Sequence, residues 1–327
     1  MAPHRSPKNR GSVRSSFALI ATAGIIALTL SGCVSAPAPE AGSGDSSNAV
    51  EVKGDFGDTP RVEFPSPLAP EETQCTEVIA GDGERLVDGQ QSLVGLAVYN
   101  GATGEELQVT GFGGETGDPV PLAISENTLP GLNKGLSCGS VGSRVAVVVP
   151  EKDGFGPNGN QSLGIEPGDS LVFVLDIQRA FPARADGAVR LSRDGFPAVV
   201  LAPDGRPGIT VPKADPFETT EVEVLKEGSG QVVESGDTVV VHYTGVTWAD
   251  SKVFDSSWEK GAPAIMTVSD GADSQVIPGF SEAIIGQKVG SQVAVVIPPS
   301  DGYGDQGSEN IPPNSTLFFV IDILGVI

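Results

Sequence analysis

The sequence predicts an α+β fold that is dominated by antiparallel strands and is repeated twice along the chain. Its 43 glycines and 26 prolines make up about a fifth of the 327 residues, which favours turns and short strands over long helices. Runs rich in β-branched residues, such as 238–243 and 291–297, are bounded by Gly, Pro, Asp and Asn, as strands are. One short helix is predicted at 279–285.

The repeat is visible when the chain is compared with itself. At an offset of 148 residues, 129–159 aligns with 277–307, and 14 of these 31 positions are identical. Both copies contain P-G, then V-G-S-x-V-A-V-V, then P-x-x-D-G-[FY]-G-x-x-G, and both end in similar strands at 170–177 and 316–323. The sequence therefore predicts a tandem duplication, with domains at 74–180 and 217–327.

Two segments lie outside these domains. Residues 33–73 consist mainly of Ala, Pro, Gly, Ser, Asp and Glu, a composition that predicts a flexible tether, with packing conceivable only around 62–68. Residues 181–216 contain six prolines and the turn pairs Asp194-Gly195 and Asp204-Gly205, which predict a Pro/Gly-rich linker that is extended or lightly structured. Such a linker leaves open whether the two domains touch.

The N-terminus has the features of an export signal. Arg5, Lys8, Arg10 and Arg14 precede an apolar stretch at 17–30 that is too short to span a bilayer. The following Leu30-Ser-Gly-Cys33 resembles the bacterial lipobox, which implies that 1–32 is a signal peptide cleaved before a lipid-modified Cys33. The predicted location is the extracytoplasmic face of the cell membrane. An uncleaved anchor or an ordinary secretory signal remains the alternative.

Charge and histidine content exclude several function classes. The net charge is -22, and it becomes -26 after residues 1–32 are removed, so nucleic acid is not an expected partner. With only His4 and His242, neither a His-rich metal site nor most Ser or Cys nucleophile mechanisms are favoured. A dinucleotide cofactor is not expected either, because prolines 312 and 313 prevent the helix that its site would need after the G-x-G-x-x-G at 302–307.

Cysteine usage agrees with export. If Cys33 carries lipid, Cys75 and Cys138 remain as a pair in a compartment where disulfides persist. We predict that they are bonded to each other. Two buried free thiols are the alternative.

The second copy carries a series of short motifs in a characteristic order. They are V-V-V-H-Y-T-G (239–245), K-V-F-D-S-S (252–257), V-I-P-G-F (276–280), V-G-S (289–291), P-S-D-G-Y-G (299–304) and I-P-P-N-S-T-L (311–317). Over about 219–327 this segment resembles the FKBP family of peptidyl-prolyl cis-trans isomerases. The resemblance implies, for each copy, an antiparallel half-barrel sheet wrapped around one short helix, with the pocket between sheet and helix.

The resemblance also implies a site. The catalytic residues would be Tyr243, Asp255 and Tyr303, with Asp255 within reach of Tyr243 at the back of the pocket. The substrate-binding residues would be Phe254, Val276, Ile277, Phe280, Ile311 and Phe319. In that reading Phe280 is the floor, where many family members have Trp, and the Ile277 amide and Tyr303 hydroxyl donate to substrate carbonyls. Ala264, where an aromatic wall residue is common, and an insertion at 269–274 bear on substrate preference.

At aligned positions the first copy departs from this site. It keeps Tyr99, Ile165 and Phe173, but Phe155 replaces Tyr303, and 105–109 has no F-D-S-S equivalent; Thr128, Leu129 and Leu132 stand at further site positions. We interpret the first copy as degenerate: structural or peptide-binding, with weak residual activity as the alternative.

The predicted function is peptidyl-prolyl isomerisation in exported proteins, without a covalent intermediate, metal or cofactor. The implied partners are proline-containing exported polypeptides, the membrane through the Cys33 lipid, and FK506-like macrolides as inhibitors. The protein is predicted to be a monomer. The rival interpretation is a non-catalytic peptide-binding chaperone or assembly module of the cell surface.

Overall fold

The computed structural model describes residues 38–191 and 193–327. The predicted signal peptide and Cys33 lie outside the described residues. Within the described ranges, no helix has the length and apolar character needed to cross a bilayer.

The first domain is an antiparallel sheet packed on one helix. The sheet order is β3-β7-β8-β4-β5, with β6 paired to β4, and the helix is α2. Including the segment before it, this part of the chain contains α1 (Asp45–Asn48), β1 (Glu51–Lys53), β2 (Arg61–Glu63), β3 (Gln74–Ile79), β4 (Gln91–Asn100), β5 (Glu106–Thr110), β6 (Val120–Ala123), α2 (Pro130–Cys138), β7 (Arg144–Val149) and β8 (Leu171–Ala180).

The second domain repeats this arrangement. The sheet order is β14-β13-β17-β16-β12-β9, with β15 paired to β13, and the helix is α3. From the linker onward the elements are β9 (Ala188–Val189), β10 (Ala198–Leu201), β11 (Pro207–Thr210), β12 (Glu221–Glu227), β13 (Thr238–Thr247), β14 (Val253–Ser256), β15 (Ala264–Thr267), α3 (Pro278–Ile284), β16 (Gln292–Ile297) and β17 (Leu317–Val326). Short 3-10 helices lie at Gly114–Thr116, Glu151–Asp153, Gly156–Asn158, Gln161–Leu163 and Pro299–Asp301. The predicted α+β class is confirmed.

Each sheet is buried on both faces, which explains the unbroken apolar character of its central strands. In β16, Val293, Val295 and Ile297 face the helix, whereas Ala294 and Val296 face outward into a second cluster. The strand β7 behaves in the same way. Something must therefore cover the outer face of each sheet.

The cover of the first sheet comes from the segment predicted to be a flexible tether, and for residues 38–73 that prediction is wrong. This segment forms α1 and the β1–β2 hairpin, which lies over the outer face of the sheet. Val50 and Leu68 are 7% and 8% exposed. A few well-placed apolar side chains are enough to order the segment, because the sheet supplies the remaining apolar surface. We call residues 38–73 the first arm.

The linker 181–216 is likewise more structured than predicted. Its β10–β11 hairpin covers the outer face of the second sheet, where Phe196 is buried against Phe318, and β9 extends that sheet at its edge. We call residues 181–216 the second arm. The repeating unit is thus an arm plus a domain.

Similar hydrogen bonds are made where each arm joins its domain. Thr73 donates to Asp153 at 2.6 Å, and Thr220 donates to Asp301 at 2.7 Å. A buried aspartate of the last strand also accepts an arm amide in each unit: Asp176 from Gly57 and Asp322 from Ala185. In both units the arm is thus hydrogen-bonded to the last strand of the sheet that it covers.

The partner of that buried aspartate differs between the units. Arg144 contacts Asp176 through two nitrogens, at 2.6 and 2.7 Å, and both side chains are fully buried. In the second unit Gln292 donates to Asp322 at 2.6 Å, and burial raises the pKa of Asp322 above its ordinary value. The aspartate that accepts the arm amide is thus paired with a guanidinium in the first unit and with a side-chain amide in the second.

The two domains touch directly. Leu93 and Phe181 pack with Val240 and Leu324 of the second domain, and all four are buried. The Arg179 guanidinium lies 4.4 Å from the Phe181 ring centroid and donates to the Val326 carbonyl at 2.9 Å. The contact that the sequence left open is therefore made by side chains at the domain junction.

The Cys75–Cys138 pair is joined in a disulfide, with the Cα atoms 6.5 Å apart. It ties the edge strand β3 to the end of α2. Both cysteines are buried in the core of the first domain.

Candidate functional site

A cavity of about 420 Å³ opens in the second domain between the sheet and α3. Its lining consists of Tyr243, Phe254, Asp255, Met266, Ser274, Gln275, Val276, Ile277, Phe280, Tyr303 and Phe319. Eight of the nine residues that the sequence assigned to the site are in this lining. Strands β13, β14 and β17, the start of α3 and the loop after Pro299–Asp301 bring them together.

Four aromatic rings form the interior of the cavity around Phe319. The Phe319 centroid is 5.4 Å from that of Phe254 and 5.3 Å from that of Phe280, both in edge-to-face geometry, and Tyr243 is edge-on to Phe280 at 5.9 Å. Such contacts favour a fixed arrangement of rings. Gly245 permits it, because a Cβ there would lie 2.5 Å from the Phe254 ring and 2.7 Å from the Phe319 ring.

A hydrogen-bonded carboxylate closes one side of the cavity. The Tyr243 hydroxyl donates to Asp255 Oδ2 at 2.6 Å, and Lys260 Nζ lies 2.5 Å from Asp255 Oδ1. Burial opposes ionisation of Asp255, but the contacts with Lys260 and Tyr243 outweigh it and hold the pKa of the carboxyl below its ordinary value. Burial and the hydrogen bond to Asp255 raise the pKa of Tyr243, so at neutral pH the pair is a carboxylate with a neutral phenol.

Two further donors border the cavity. Ile277 precedes α3, and its backbone N–H donates to no acceptor among the described residues. Tyr303 is 39% exposed, and burial together with the nearby Asp255 raises the pKa of its hydroxyl, which keeps the proton on it. A peptide carbonyl entering the cavity would therefore meet protonated donors.

Ile311 is the predicted site residue that the structure places elsewhere. It is 3% exposed and packs in the domain core rather than lining the cavity. Its backbone closes a tight turn, in which the Ser308 amide donates to the Ile311 carbonyl and the Ile311 amide to the Ser308 carbonyl. Conversely, Lys260, Met266 and Gln275 belong to the site and were not predicted from the sequence.

His242 takes no part in this cavity. Its ring stacks on Trp258 at 3.9 Å, and Nδ1 lies 2.8 Å from the Ser257 hydroxyl. Burial lowers the pKa of His242 to about 4, so the side chain is neutral in the folded protein at pH 7. Its place on the opposite face of β13 from Tyr243 agrees with strand alternation.

Strand register identifies the equivalent positions in the first domain. Tyr243 pairs with Ile321 in β17, and the matching pair in the first sheet is Leu96 with Leu175. Leu96, not Tyr99, therefore occupies the place of Tyr243, and the sequence-based equivalence of Tyr99 is wrong. Tyr99 lies on the outer face, edge-on to Phe64 of the first arm at 6.1 Å.

The acid is absent from the first domain as well. Asp255 pairs with Gly245, and the matching pair is Gln108 with Val98. Leu96 cannot donate and Gln108 carries no charge. The hydrogen-bonded Tyr–Asp pair thus exists only in the second of the two described domains.

Comparison with known proteins finds one family in both domains. The family model described as FKBP-type peptidyl-prolyl cis-trans isomerase matches residues 97–178 and 230–324. An "FK506-binding protein" of Streptomyces anulatus is 36% identical over 37% of this chain and 97% of its own length. "FK506-binding protein 1" of Debaryomyces hansenii is 44% identical over 33% of this chain and 95% of its own length.

A longer relative matches over one part. The "FKBP-type peptidyl-prolyl cis-trans isomerase FkpA" of Escherichia coli is 42% identical over 32% of this chain, which spans only 36% of that protein. The family model covers more than half of the chain in two segments, and the first two relatives are matched over nearly their whole length. This chain therefore belongs to the FKBP-type peptidyl-prolyl cis-trans isomerase family, with two family domains in tandem.

Proposed function

We propose that the second domain accelerates cis–trans isomerisation of Xaa-Pro bonds and that the first domain does not. The observation that carries this proposal is the aromatic cavity with its Tyr243–Asp255 pair and the Tyr303 hydroxyl. The first domain has Leu96, Gln108 and Phe155 at these three positions. It keeps the fold without the polar groups of the site.

The geometry suits a reaction that needs no nucleophile. Rotation about an Xaa-Pro bond is slow because twisting breaks amide resonance. The twisted bond has a less polar carbonyl, so removing water destabilises the planar form more than the twisted one. Phe254, Phe280 and Phe319 would supply the dry walls. The Ile277 N–H and the Tyr303 hydroxyl would hold substrate carbonyls in place as the bond rotates.

The size and polarity of the site define its ligands. A cavity of about 420 Å³ admits a proline ring with part of its neighbours but not a folded chain. Substrates would be proline-containing exported polypeptides in extended segments. FK506-like macrolides, for which the two short relatives are named, would compete for the same cavity.

The cellular context rests on the N-terminal sequence. The basic stretch, the apolar stretch 17–30 and the Cys33 motif support an exported lipoprotein acting at the outer face of the membrane. The Cys75–Cys138 disulfide supports an oxidising compartment. We propose that the protein acts there as a monomer, held by its lipid.

The Tyr303→Phe variant tests the active site. It removes one neutral hydrogen bond to substrate and is expected to lower kcat/KM in a protease-coupled prolyl-peptide assay by about three- to tenfold. The matched control is Tyr99→Phe, which removes a hydroxyl on the outer face of the first domain and leaves kcat/KM unchanged. If the intact wild-type protein gives no acceleration, the proposal is wrong and the rival peptide-binding function is favoured.

The Cys33→Ser variant tests the anchor. Wild-type protein expressed in a lipoprotein-processing bacterium is expected to partition into detergent and to carry lipid on an N-terminal Cys33 in mass spectrometry. The serine variant is expected to remain in the aqueous phase, because it lacks the thiol that accepts the lipid. Equal partitioning of both proteins would contradict lipidation at Cys33, and a wild-type mature chain without lipid would indicate an ordinary secretory signal.

A further inference from the structure

One wall of the catalytic cavity is in contact with the first domain. Residues 258–266 of the second domain contribute Lys260 and Met266 to the site, and the same segment lies against the first domain. Building on the proposed function, we propose that the first domain acts in cis as a positioning element for this wall and so sets substrate affinity. We call residues 258–266 the shared wall.

Neighbouring side chains of strand β15 point to opposite faces of the strand and so contact two different parts of the molecule. Met266 lines the catalytic cavity, whereas the preceding Ile265 packs on a cluster that we call the interdomain cluster, formed by Leu93, Phe181, Val240 and Leu324. Among the described strands β15 pairs with β13 alone, through four residues. A short edge strand is weakly held by its own sheet. What packs against Ile265 therefore contributes to the position of Met266.

The interdomain cluster joins equivalent positions of the two sheets. Leu93 lies at a bulge in β4 and Val240 at the corresponding bulge in β13. Both are buried, at 9% and 0% exposure, and Phe181 fills the space beside them. Without the first domain, Val240 and Leu324 would lose the cover that Leu93 provides, and Ile265 would lose part of its packing surface.

The other end of the shared wall also meets the first domain. The Asn127 side-chain amide lies 3.5 Å from the Lys260 carbonyl, while Lys260 Nζ contacts Asp255 in the catalytic cavity. Trp258 and Lys260 form one side of a second cavity of about 590 Å³ whose other side includes Ser125 and Asn133 of the first domain. The backbone of Lys260 thus faces one domain and its ammonium the active site of the other.

These contacts would give the first domain a positioning function, although its own cavity positions lack the catalytic side chains. Its inner positions have become Leu96 and Gln108, which cannot form the Tyr–Asp pair. Its outward Leu93 belongs to the cluster on which Ile265 packs, and its Asn127 side-chain amide lies 3.5 Å from the Lys260 carbonyl. A displacement of that wall would widen the cavity and weaken ground-state and transition-state contacts alike, which raises KM more than it lowers kcat.

The test compares two leucines of the first unit in the full chain. Leu93 belongs to the interdomain cluster, and Leu68 to the cluster that the first arm forms with the outer face of its sheet; their exposures are 9% and 8%. Leu93→Ala is expected to raise KM for a prolyl tetrapeptide by about fivefold with kcat within about twofold of wild type. Leu68→Ala is expected to leave both constants within about twofold, and Leu93→Met to restore KM.

A spectroscopic readout separates this inference from the proposed function. In a Trp248→Phe background, Trp258 is the remaining tryptophan. Leu93→Ala should increase its quenching by acrylamide, and Leu68→Ala should not; this measurement remains valid even if wild-type protein shows no turnover. If Leu93→Ala does not fold, Leu93→Val and Asn127→Ala take its place, with smaller increases in KM expected. A KM and Trp258 quenching equal to those of Leu68→Ala would overturn the proposal.

Discussion

Replacing Arg144 by alanine is expected to destabilise the first unit by about 3–5 kcal/mol, the usual cost of leaving one member of a buried ion pair alone. Arg144 and Asp176 are fully buried, and Arg144 also donates to the Gly54 carbonyl at 2.9 Å and the Asp58 carbonyl at 2.7 Å. The variant therefore strands a buried carboxylate and releases the turn of the β1–β2 hairpin. Urea unfolding followed by circular dichroism measures the loss.

The second unit suggests the informative companion variant. Arg144→Gln reproduces the Gln292–Asp322 arrangement, in which an amide donates to the buried carboxyl. We expect it to cost less than Arg144→Ala, because one hydrogen bond to Asp176 is kept. Lys152→Ala removes a surface pair with Glu72 and is the control, with no measurable change expected. A loss for Arg144→Ala no larger than that of Lys152→Ala would mean that the pair does not hold the arm.

The arms show why composition alone mispredicts order. The mean composition of residues 33–73 is polar and predicts a flexible segment. Val50 and Leu68 nevertheless pack on a sheet surface that is already apolar. The sequence feature that indicates ordered arms lies in the strands. Residues 145–149 and 293–297 are unbroken apolar runs, which indicate that each sheet is buried on two faces rather than one. Two buried faces require a cover on each side, and in this chain the arms are the segments available to provide it.

Some site residues could be predicted from the sequence and others could not. Tyr243, Asp255 and Phe280 could be predicted because each lies inside a motif, where neighbouring residues fix the register. Tyr99 could not be assigned correctly, because the first copy lacks those motifs and a shift of an odd number of residues moves a side chain to the opposite face of the sheet. Lys260 and Met266 enter the site through a turn and an edge strand whose position depends on the other domain.

Replacing Asp255 by alanine is expected to lower kcat/KM by about tenfold. Asp255 accepts a charge-assisted hydrogen bond from Tyr243 and pairs with Lys260, and such bonds contribute about 1.5–3 kcal/mol. The lower end applies because the side chain is 35% exposed, and about 1.4 kcal/mol corresponds to tenfold in rate. The loss would arise from a mobile Tyr243 ring, which lines the cavity, and from the loss of the Lys260 contact beside it. The protease-coupled assay measures it.

The pH profile and two further variants decide whether charge or packing is responsible. Because the pKa of folded Asp255 lies below its ordinary value, its ionised form and the stability that it contributes persist above that ordinary value and are lost only as the pH falls through the lowered pKa. Wild-type turnover should therefore not fall through titration of Asp255 between about pH 5 and 8. Asp255→Asn keeps an acceptor for Tyr243 and should retain more activity than Asp255→Ala, whereas Glu282→Ala, on the exposed side of α3, should behave as wild type. If Asp255→Ala matches Glu282→Ala, the carboxylate has no part in catalysis, and the Ile277 amide with the aromatic walls would have to account for the rate.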